Sequence, residues 1–280
     1  MEGHFAMMNS PQIMGILNVT PDSFSDGGQV PTLELAVKRG LTLIEQGAHI
    51  IDIGGESTRP GAKEVSPADE ILRTIPVIAA LREATRDHEI DTLISIDTRK
   101  PKVAMEAIYA GADIWNDVSA LTFDKNSEAV AADLACPIII MHAQGCPETM
   151  QDNPFYDDPV ANIKDYLAKR IDALEFAGVE RKQITIDPGI GFGKRQEDNL
   201  AIFNRLSVFK SLGCSMLIGA SRKSFIGKID GSTTDRRLAG SLSAALWSLN
   251  QGADILRVHD VMETQQAIRV WKAISDFDDD

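Results

Sequence analysis

The stretch Gln251-Gly252-Ala253-Asp254-Ile255-Leu256-Arg257-Val258 passes through a short Gly-Ala turn into a run of apolar residues. Similar turns occur at Gln46-Gly47-Ala48-His49 and at Ala110-Gly111-Ala112-Asp113. Each turn follows a segment with helical spacing of apolar residues and enters a strand-like run, which indicates a repeated helix–turn–strand unit. The sequence therefore predicts a fold in which strands and helices alternate.

Eight short runs have the composition of buried parallel strands, because they are apolar without polar alternation. They are Gln12–Leu17, His49–Ile53, Leu93–Asp97, Asp113–Asn116, Pro137–Met141, Gln183–Asp187, Ser215–Gly219 and Asp254–Val258. Eight units in 280 residues average about 35 residues each, the size of the repeat in an α/β barrel. We predict an α/β fold, a (β/α)8 TIM barrel. A doubly wound open sheet is the alternative, although it favours about five to seven strands and a Gly-rich first turn.

The barrel is predicted to form a single domain over residues 12–275, with no linker inside it. Residues 1–11 are interpreted as an N-terminal extension, and Met7 and Met8 leave open whether all of it is native. Residues 276–280 form a short acidic tail. Thr32 is predicted to cap the first helix, and Asp260 with Glu263 forms a variant capping box for the last one.

The composition excludes several classes of partner. The chain has 28 Lys and Arg against 41 Asp and Glu, a net charge of −13, which repels nucleic acid and anionic membranes. No apolar stretch reaches the roughly 18 residues of a membrane span. Cys136, Cys146 and Cys214 lack the spacing of a disulfide framework or zinc site. A reducing cytoplasm is the predicted location.

Polar side chains recur where the predicted strands end. In a TIM barrel the active site lies at the C-terminal ends of the strands, so these side chains are expected to converge. They are Asn18, Asp97, Asn116, His142, Asp187, Lys223, Arg257 and His259. Any one of them could instead cap the following helix, but the recurrence on seven strands favours a functional site.

The same loops concentrate positive charge in an acidic chain. The cations are Arg59, Arg222, Lys223, Arg257 and His259, which indicates an anionic ligand. His259 directly precedes the predicted N-terminus of the last helix, where backbone N–H groups and the helix dipole favour phosphate. The alternative is that Arg257 and His259 pair with neighbouring carboxylates such as Asp260.

Two long loops have the composition of active-site loops. Residues 18–28 and 54–61 combine paired glycines, prolines and many polar groups. Simple polar connections would account for the glycines, but not for Phe24 or Arg59.

Three common catalytic or phosphate-binding sequence motifs are absent. The segment after the sixth predicted strand has Pro188 where a phosphate loop needs glycine and Arg195 where it needs Ser or Thr. Neither a nucleophile elbow nor an HExxH helix occurs.

Seven motifs closely resemble those of the dihydropteroate synthase family, in order and at the family's spacing. They are MGILNVTPDSFSDGG (14–28), GGESTRPGA (54–62), SIDT (95–98), NDVSAL (116–121), DPGIGFGK (187–194), SRKS (221–224) and RVHDV (257–261). The resemblance runs from the first strand to the last helix. It implies a pterin-binding TIM barrel of folate biosynthesis, usually dimeric, in a family that sulfonamides target.

The family condenses 6-hydroxymethyl-7,8-dihydropterin diphosphate with 4-aminobenzoate, giving 7,8-dihydropteroate and pyrophosphate. The resemblance implies a pterin pocket formed by Asp97, Asn116, Val118, Met141, Asp187, Phe192, Gly219, Lys223 and Arg257. It implies an aminobenzoate pocket formed by Phe24, Ser57, Thr58, Pro60, Phe192, Ser221, Lys223 and Ser224. Pyrophosphate would be bound by Asn18, Arg59, Arg257 and His259, with Mg2+ on Asn18.

The implied reaction is SN1-like, since the pterin can delocalise positive charge on the carbon from which pyrophosphate leaves. The residues with implied catalytic roles are Asn18, Arg59, Asp97, Lys223, Arg257 and His259. Two alternatives stay open. Lys223 at a strand end could form a Schiff base in an aldolase-like lyase. The chain could also be a binding module, as in corrinoid-linked relatives, although loops with Asn18, Phe24 and Arg59 argue against it.

Overall fold

The computed structural model describes residues 10–20, 32–57, 61–86, 92–145, 150 and 154–277. Its eight parallel strands form a closed barrel in chain order, and the last strand pairs with the first. The strands are β1 Gln12–Asn18, β2 Ile50–Gly54, β3 Leu93–Asp97, β4 Ile114–Asp117, β5 Ile138–Met141, β6 Ile184–Asp187, β7 Ser215–Ile218 and β8 Ile255–Val258. The predicted (β/α)8 barrel is confirmed.

Helices surround this barrel and cover its outer face. They are α1 Leu33–Glu45, α2 Pro67–Thr85, α3 Pro101–Tyr109, α4 Ser127–Leu134, α5 Pro159–Ala177, α6 Gln196–Asn204, α7 Ser224–Asp230, α8 Leu238–Asn250 and α9 Val261–Ser275. Short 3-10 turns lie at Arg181–Gln183, Leu206–Leu212 and Thr234–Arg236. Among the described residues, no helix is long and apolar enough to span a membrane.

The predicted turns before the strands adopt the expected conformation. Gly47, Gly111 and Gly252 have φ values of 103°, 112° and 91°, in the left-handed region that glycine adopts without a Cβ clash. Each of them ends a helix and is followed within a few residues by a barrel strand. The repeated Gly-Ala pattern therefore marks a repeated backbone geometry.

One helix cap agrees with the sequence prediction and one does not. The Leu35 N–H donates to Thr32 Oγ1 at 3.3 Å, so Thr32 caps α1. Asp260 stands at the N-cap of α9, but its side chain caps no backbone N–H. Its carboxylate instead accepts from Arg222 Nε at 3.0 Å. The predicted capping box is wrong because an ion pair between two loops occupies the carboxylate.

The barrel interior is layered. Side chains alternate between the two faces of a strand, so every second residue points inward. A fully buried apolar layer fills the middle of the barrel, formed by Met14, Ile50, Ile114, Ile139, Leu217 and Ile255. Two residues further along β2, β4 and β8, the inward positions are Asp52, Asn116 and Arg257. A polar layer therefore lies directly on an apolar floor, at the C-terminal ends of the strands.

Candidate active site

Arg257 forms the centre of the polar layer. It extends from β8 across the barrel, where its Nε lies 2.6 Å from Asp52 Oδ2 and its Nη2 lies 2.8 Å from Asp97 Oδ2. Burial acts to lower the pKa of Arg257, but the two carboxylates outweigh it and raise the pKa. The alternative of carboxylate pairing thus applies to Arg257, although the partners are Asp52 and Asp97 and not Asp260.

The ion pair with Arg257 does not fully offset the cost of burying the charge of Asp97. Burial raises its pKa to about 7, Arg257 opposes that shift, and the nearby Asp52 adds to it. Asp52 and Asp97 both pair with the guanidinium of Arg257. This part of the layer therefore has two carboxylates for one cation. This arrangement suits a ligand that presents N–H donors.

Asn116 shares a partner with Arg257. Its Nδ2 lies 3.2 Å from Asp52 Oδ2 and 3.4 Å from Asp52 Oδ1. Asp52 is completely buried, and the sequence analysis missed it because it stands inside the apolar run of β2 and not at the strand end. The signal that could have found it is an acidic residue two positions after Ile50 in a strand buried on both faces.

Asp187 and Lys223 lie on the opposite side of the pocket. Asp187 Oδ1 accepts from the Gly189 N–H at 2.7 Å. Burial raises the pKa of Asp187, and Lys223 opposes the shift. Burial also lowers the pKa of Lys223 to about 8, with Asp187 acting in the opposite direction. Lys223 Nζ donates to the Ile190 carbonyl.

Apolar surface surrounds these charges. Met141 is buried at the end of β5, and Val118 and Phe192 are half-buried. Lys223 Nζ lies 4.5 Å from the centre of the Phe192 ring. A Cβ on Gly219 would lie 3.9 Å from Lys223 Nζ and 3.8 Å from Arg257 Cβ, so this glycine leaves both cations room. The pocket combines charged edges with apolar walls, as sites for flat heterocycles do.

Asn18 and Asp97 flank Gly54 of β2, which is in register with both of them. A Cβ on Gly54 would lie 3.5 Å from Asn18 Oδ1 and 3.7 Å from Asp97 Oδ2. Asn18 is the last residue of β1, where the sequence analysis had placed it just after the strand. Asn18 belongs to β1 because it pairs in register with Gly54 of β2.

The base of the second loop is held by an ion-pair cluster that the sequence analysis missed. Glu56 pairs with Lys100 and accepts from Arg99 Nη2 at 3.1 Å. Lys100 Nζ also lies 2.7 Å from the fully buried Glu70. The half-buried Ser57 follows Glu56 directly. The predicted site residues Phe24, Thr58, Arg59 and Pro60 lie outside the described residues.

The loops after β7 and β8 contact each other. Ser221 Oγ accepts from the His259 N–H at 3.2 Å and lies 3.0 Å from His259 Nδ1. Ser224 is exposed and is the first residue of α7. Arg222 forms the ion pair with Asp260 described above, with both Nε and Nη2 engaged. Arg222 was counted with the cations that indicate an anionic ligand, and its charge is balanced within the protein.

His142, another of the polar residues at the strand ends, contacts the loop after β6. Its Nδ1 lies 3.0 Å from Lys194 Nζ, and its ring packs edge-on against Tyr166 with 4.9 Å between centroids. Burial, followed by the Lys194 charge, lowers the pKa of His142 to about 3. Lys194 also donates to the carbonyls of His142 at 3.2 Å and Phe192 at 3.0 Å. The pair ties the β5 loop to the β6 loop.

A glycine makes the same two loops fit. Gly189 has a φ of 72°, and a Cβ there would lie 1.9 Å from the His142 carbonyl oxygen. Such a contact is far inside the van der Waals distance, so only glycine allows this approach. The backbone that carries Asp187 is therefore packed directly against the loop after Met141.

Comparison with known proteins agrees with this geometry. The model of the family described as "Pterin binding enzyme" matches residues 14–259. A dihydropteroate synthase from Synechocystis is 46% identical over 94% of this chain and 89% of its own length. The chain belongs to the dihydropteroate synthase family. The resemblance stated from the motifs is thereby confirmed, and the transferase interpretation is favoured over the aldolase-like lyase.

Solved structures of relatives share the whole fold. Dihydropteroate synthase of Xanthomonas albilineans with 4-aminobenzoic acid has a TM-score of 0.89 and 45% identity, covering 96% of this chain and 95% of that one. The same enzyme in complex with 7,8-dihydropteroate has a TM-score of 0.86 and 41% identity, with coverages of 96% and 95%.

The Lys194 cluster predicts a pH dependence of stability. Burial lowers the pKa of Lys194 from 10.5 to about 7. Between these values the unfolded chain binds more protons than the folded one, so the free energy of unfolding rises with pH. The rise is at most about 1.4 kcal/mol per pH unit. Denaturant titrations from about pH 7 to about pH 10 should show that Lys194→Met loses this rise, by the linkage argument.

The exposed Lys38→Met removes the same charge elsewhere and serves as the control, which should keep the wild-type slope. Equal slopes for wild type and Lys194→Met would show that the buried amine stays protonated in the folded protein.

Proposed function

We propose that this chain joins 6-hydroxymethyl-7,8-dihydropterin diphosphate to 4-aminobenzoate, forming 7,8-dihydropteroate and releasing pyrophosphate in folate biosynthesis. The observation that carries the proposal is the polar layer on its apolar floor. Asp97 and Asn116 lie in this layer with Arg257, and Asp187 lies close enough to Lys223 for their charges to interact. These acceptors and cations support one pterin pocket. Membership of the family and its small-molecule complexes support the choice of substrates.

The pterin is bound by its donor edge and its faces. A pterin edge carries ring N–H and amino donors, which match the carboxylate of Asp187 and the acceptors at Asn116 and Asp97. Asp187 Oδ1 is held by the Gly189 N–H, which leaves Oδ2 for the ligand. Lys223 donates to the ring carbonyl side. The walls of the pocket are formed by Val118, Met141, Phe192 and Gly219. Arg257 contacts the ring and binds the phosphate.

The chemical step is the departure of pyrophosphate. Its developing negative charge is stabilised by Arg59, Arg257 and His259, and by the backbone N–H groups at the start of α9. The C–O bond breaks and pyrophosphate keeps the electron pair. The amino nitrogen of 4-aminobenzoate then attacks the pterin methylene carbon and loses a proton. A cation of this kind needs no strong general base, so the step is SN1-like.

Mg2+ is proposed to act at Asn18. Among the described residues, no group of three or more His, Cys, Asp or Glu side chains could hold a metal. Asn18 Oδ1 lies 3.5 Å from the place that a Cβ on Gly54 would take, and it is an oxygen ligand of the kind that Mg2+ accepts alongside substrate phosphates. The residues therefore fit a cation whose remaining ligands are diphosphate oxygens and water. When bound, it stabilises charge on the leaving group.

The second substrate is proposed to bind at the mouth of the barrel. The carboxylate of 4-aminobenzoate accepts hydrogen bonds from Ser221, Ser224 and the nearby backbone. Its ring packs against Phe192 and the aliphatic stem of Lys223. The remaining contacts come from the two long loops, through Phe24, Ser57, Thr58 and Pro60. Ser221 and Ser224 flank Lys223 on the β7 loop, so both substrates meet at this lysine.

The chain is further proposed to form a homodimer. A groove of about 400 Å³ between α6, α7 and α8 is lined mainly by apolar residues, together with Asn204, Asp230 and Ser243. Leu200, Ile229 and Trp247 expose 45%, 63% and 46% of their surface around it. Such a patch on three adjacent helices suits a second copy of the same surface. Leu246 on α8 and Trp271 on α9 are partly buried and pack against the core.

A reducing cytoplasm is proposed as the location. Cys136 and Cys214 are both free thiols in the described part of the chain, and burial raises the pKa of each to about 11. Cysteines of this kind suit a compartment that keeps thiols reduced.

The dimer proposal predicts that Ile229→Glu yields monomers. Two buried carboxylates facing each other across a symmetric interface lack partners, which strongly opposes association. Sedimentation velocity should show a dimer for wild type and for the control Ile274→Glu on α9, where Ile274 is 73% exposed. A monomeric wild type, or a dimeric Ile229→Glu, contradicts the proposed interface.

The proposed pterin pocket predicts the effect of Asp187→Asn. The amide presents donors to ligand donors, and a lost charge-assisted hydrogen bond costs about 1.5–3 kcal/mol. Calorimetry with 6-hydroxymethyl-7,8-dihydropterin should show an affinity at least about tenfold lower, and pyrophosphate release should fall with it. The control is Asp254→Asn at the opposite end of the barrel, where the carboxylate accepts from the Met216 N–H. Wild-type protein that releases no pyrophosphate from the two substrates contradicts the proposed function.

Arg59→Ala separates the leaving group from pterin binding. Arg59 is proposed to meet charge that grows in the transition state, so its loss should lower kcat by about 10²-fold. Pterin affinity should change little, because other strands supply the ring contacts. The control is Arg86→Ala, an exposed arginine that follows α2. An Arg59→Ala enzyme with unchanged kcat and raised KM for both substrates would limit Arg59 to collecting ligands.

A further inference from the structure

Asp52 connects two residues of the pocket without itself reaching solvent. Its side chain is completely buried, and its carboxylate accepts from Arg257 Nε at 2.6 Å. The same carboxylate accepts from Asn116 Nδ2 at 3.2 Å and 3.4 Å. The bonds join β2 to β8 on one side and to β4 on the other, so Asp52 sets the relative positions of two side chains on different strands.

A carboxylate that accepts hydrogen bonds fixes the orientation of a neighbouring amide. Asn116 carries a donor nitrogen and an acceptor oxygen on one planar group, and a carboxylate can only accept. A flip of the amide by 180° would place Asn116 Oδ1 against Asp52, with oxygen facing oxygen in a buried site. The contact with Asp52 therefore holds Nδ2 inward and turns Oδ1 away. No described residue donates a hydrogen bond to that oxygen.

Arg257 is fixed by the same group. Asp52 takes its Nε and Asp97 takes its Nη2, so two of its donors are committed to protein carboxylates. The planar guanidinium is thereby held across the barrel, and its remaining N–H groups donate to none of the described residues. Asp52 thus acts on both of the groups that face the ligand from this side.

We propose that Asp52 is a positioning residue that determines specificity, because it locks the Asn116 amide so that the pocket presents an oxygen acceptor to the ligand. The inference rests on the proposed pterin pocket. It explains why the Asn116 amide, which could donate or accept, binds the edge of the ligand that carries N–H donors. Asp52 touches no substrate and acts through Asn116.

An exchange of the two side chains tests the inference. Asp52→Asn leaves an amide at position 52 that can donate or accept, so the Asn116 amide is free to flip. Asn116→Asp places two carboxylates against each other. The double variant Asp52→Asn/Asn116→Asp restores a donor–acceptor pair and the net charge, and it presents a carboxylate oxygen to the ligand. Its amide oxygen at position 52 can still accept from Arg257 Nε.

The probe is 6-hydroxymethyl-7,8-dihydropterin in calorimetry, with kcat and KM for pyrophosphate release. Each single variant should bind about tenfold more weakly or worse, and the double variant should recover most of the affinity. Both losses should appear in KM for the pterin substrate more than in kcat. Asp254→Asn is the control for exchanging a carboxylate in this barrel and should bind as wild type does.

The inference is overturned if Asp52→Asn binds normally, or if the folded double variant binds as weakly as the single variants. The second result would mean that Asp52 serves only as a counter-charge for Arg257. Where Asp52→Asn does not fold, Asn116→Asp is compared with the double variant, and equal affinities overturn the inference. Loss of pterin binding and turnover in the wild type would instead contradict the proposed function.

Discussion

The parallel pairing of β8 with β1 closes the barrel, and the candidate site depends on that closure. In this register Arg257 is opposite Met14 and reaches Asp52 and Asp97 on the next two strands. An open sheet would leave the arginine at one edge with its carboxylate partners out of reach. Closure thus converts residues more than 150 positions apart in the chain into one hydrogen-bonded unit.

Charge is balanced locally, although the chain carries a net charge of −13. Arg257 is matched by Asp52 and Asp97, Arg222 by Asp260, and Lys100 by two glutamates. Buried charges of one sign would be costly without such partners. Burial lowers the pKa of Lys223 to about 8, and the charge of Asp187 opposes that shift. The pocket is therefore polar without carrying a large uncompensated charge.

The fold was predictable because its signals are local and repeated. Eight apolar runs and three Gly-Ala turns specify strands and the turns that precede them, and polar residues at strand ends place the site. Three features were not predictable. Asp52 lies inside an apolar run, so strand-end reasoning passed over it. Asp260 looked like a cap, and His142 looked like a ligand contact. Asp260 pairs with Arg222, and His142 contacts Lys194. These contacts join different loops, and the spacing of apolar residues along the chain does not indicate which loops pack together.

The apolar floor limits how an inhibitor of this pocket could be enlarged. Met14, Ile50, Ile114, Ile139, Leu217 and Ile255 are at most 1% exposed and fill the barrel beneath the polar layer. Close-packed interiors of this kind admit no added group without strain. A compound can therefore gain no contacts by growing in depth. A ligand seated on this floor is extended outward through the mouth of the barrel, where substituents contact the loops after the strands.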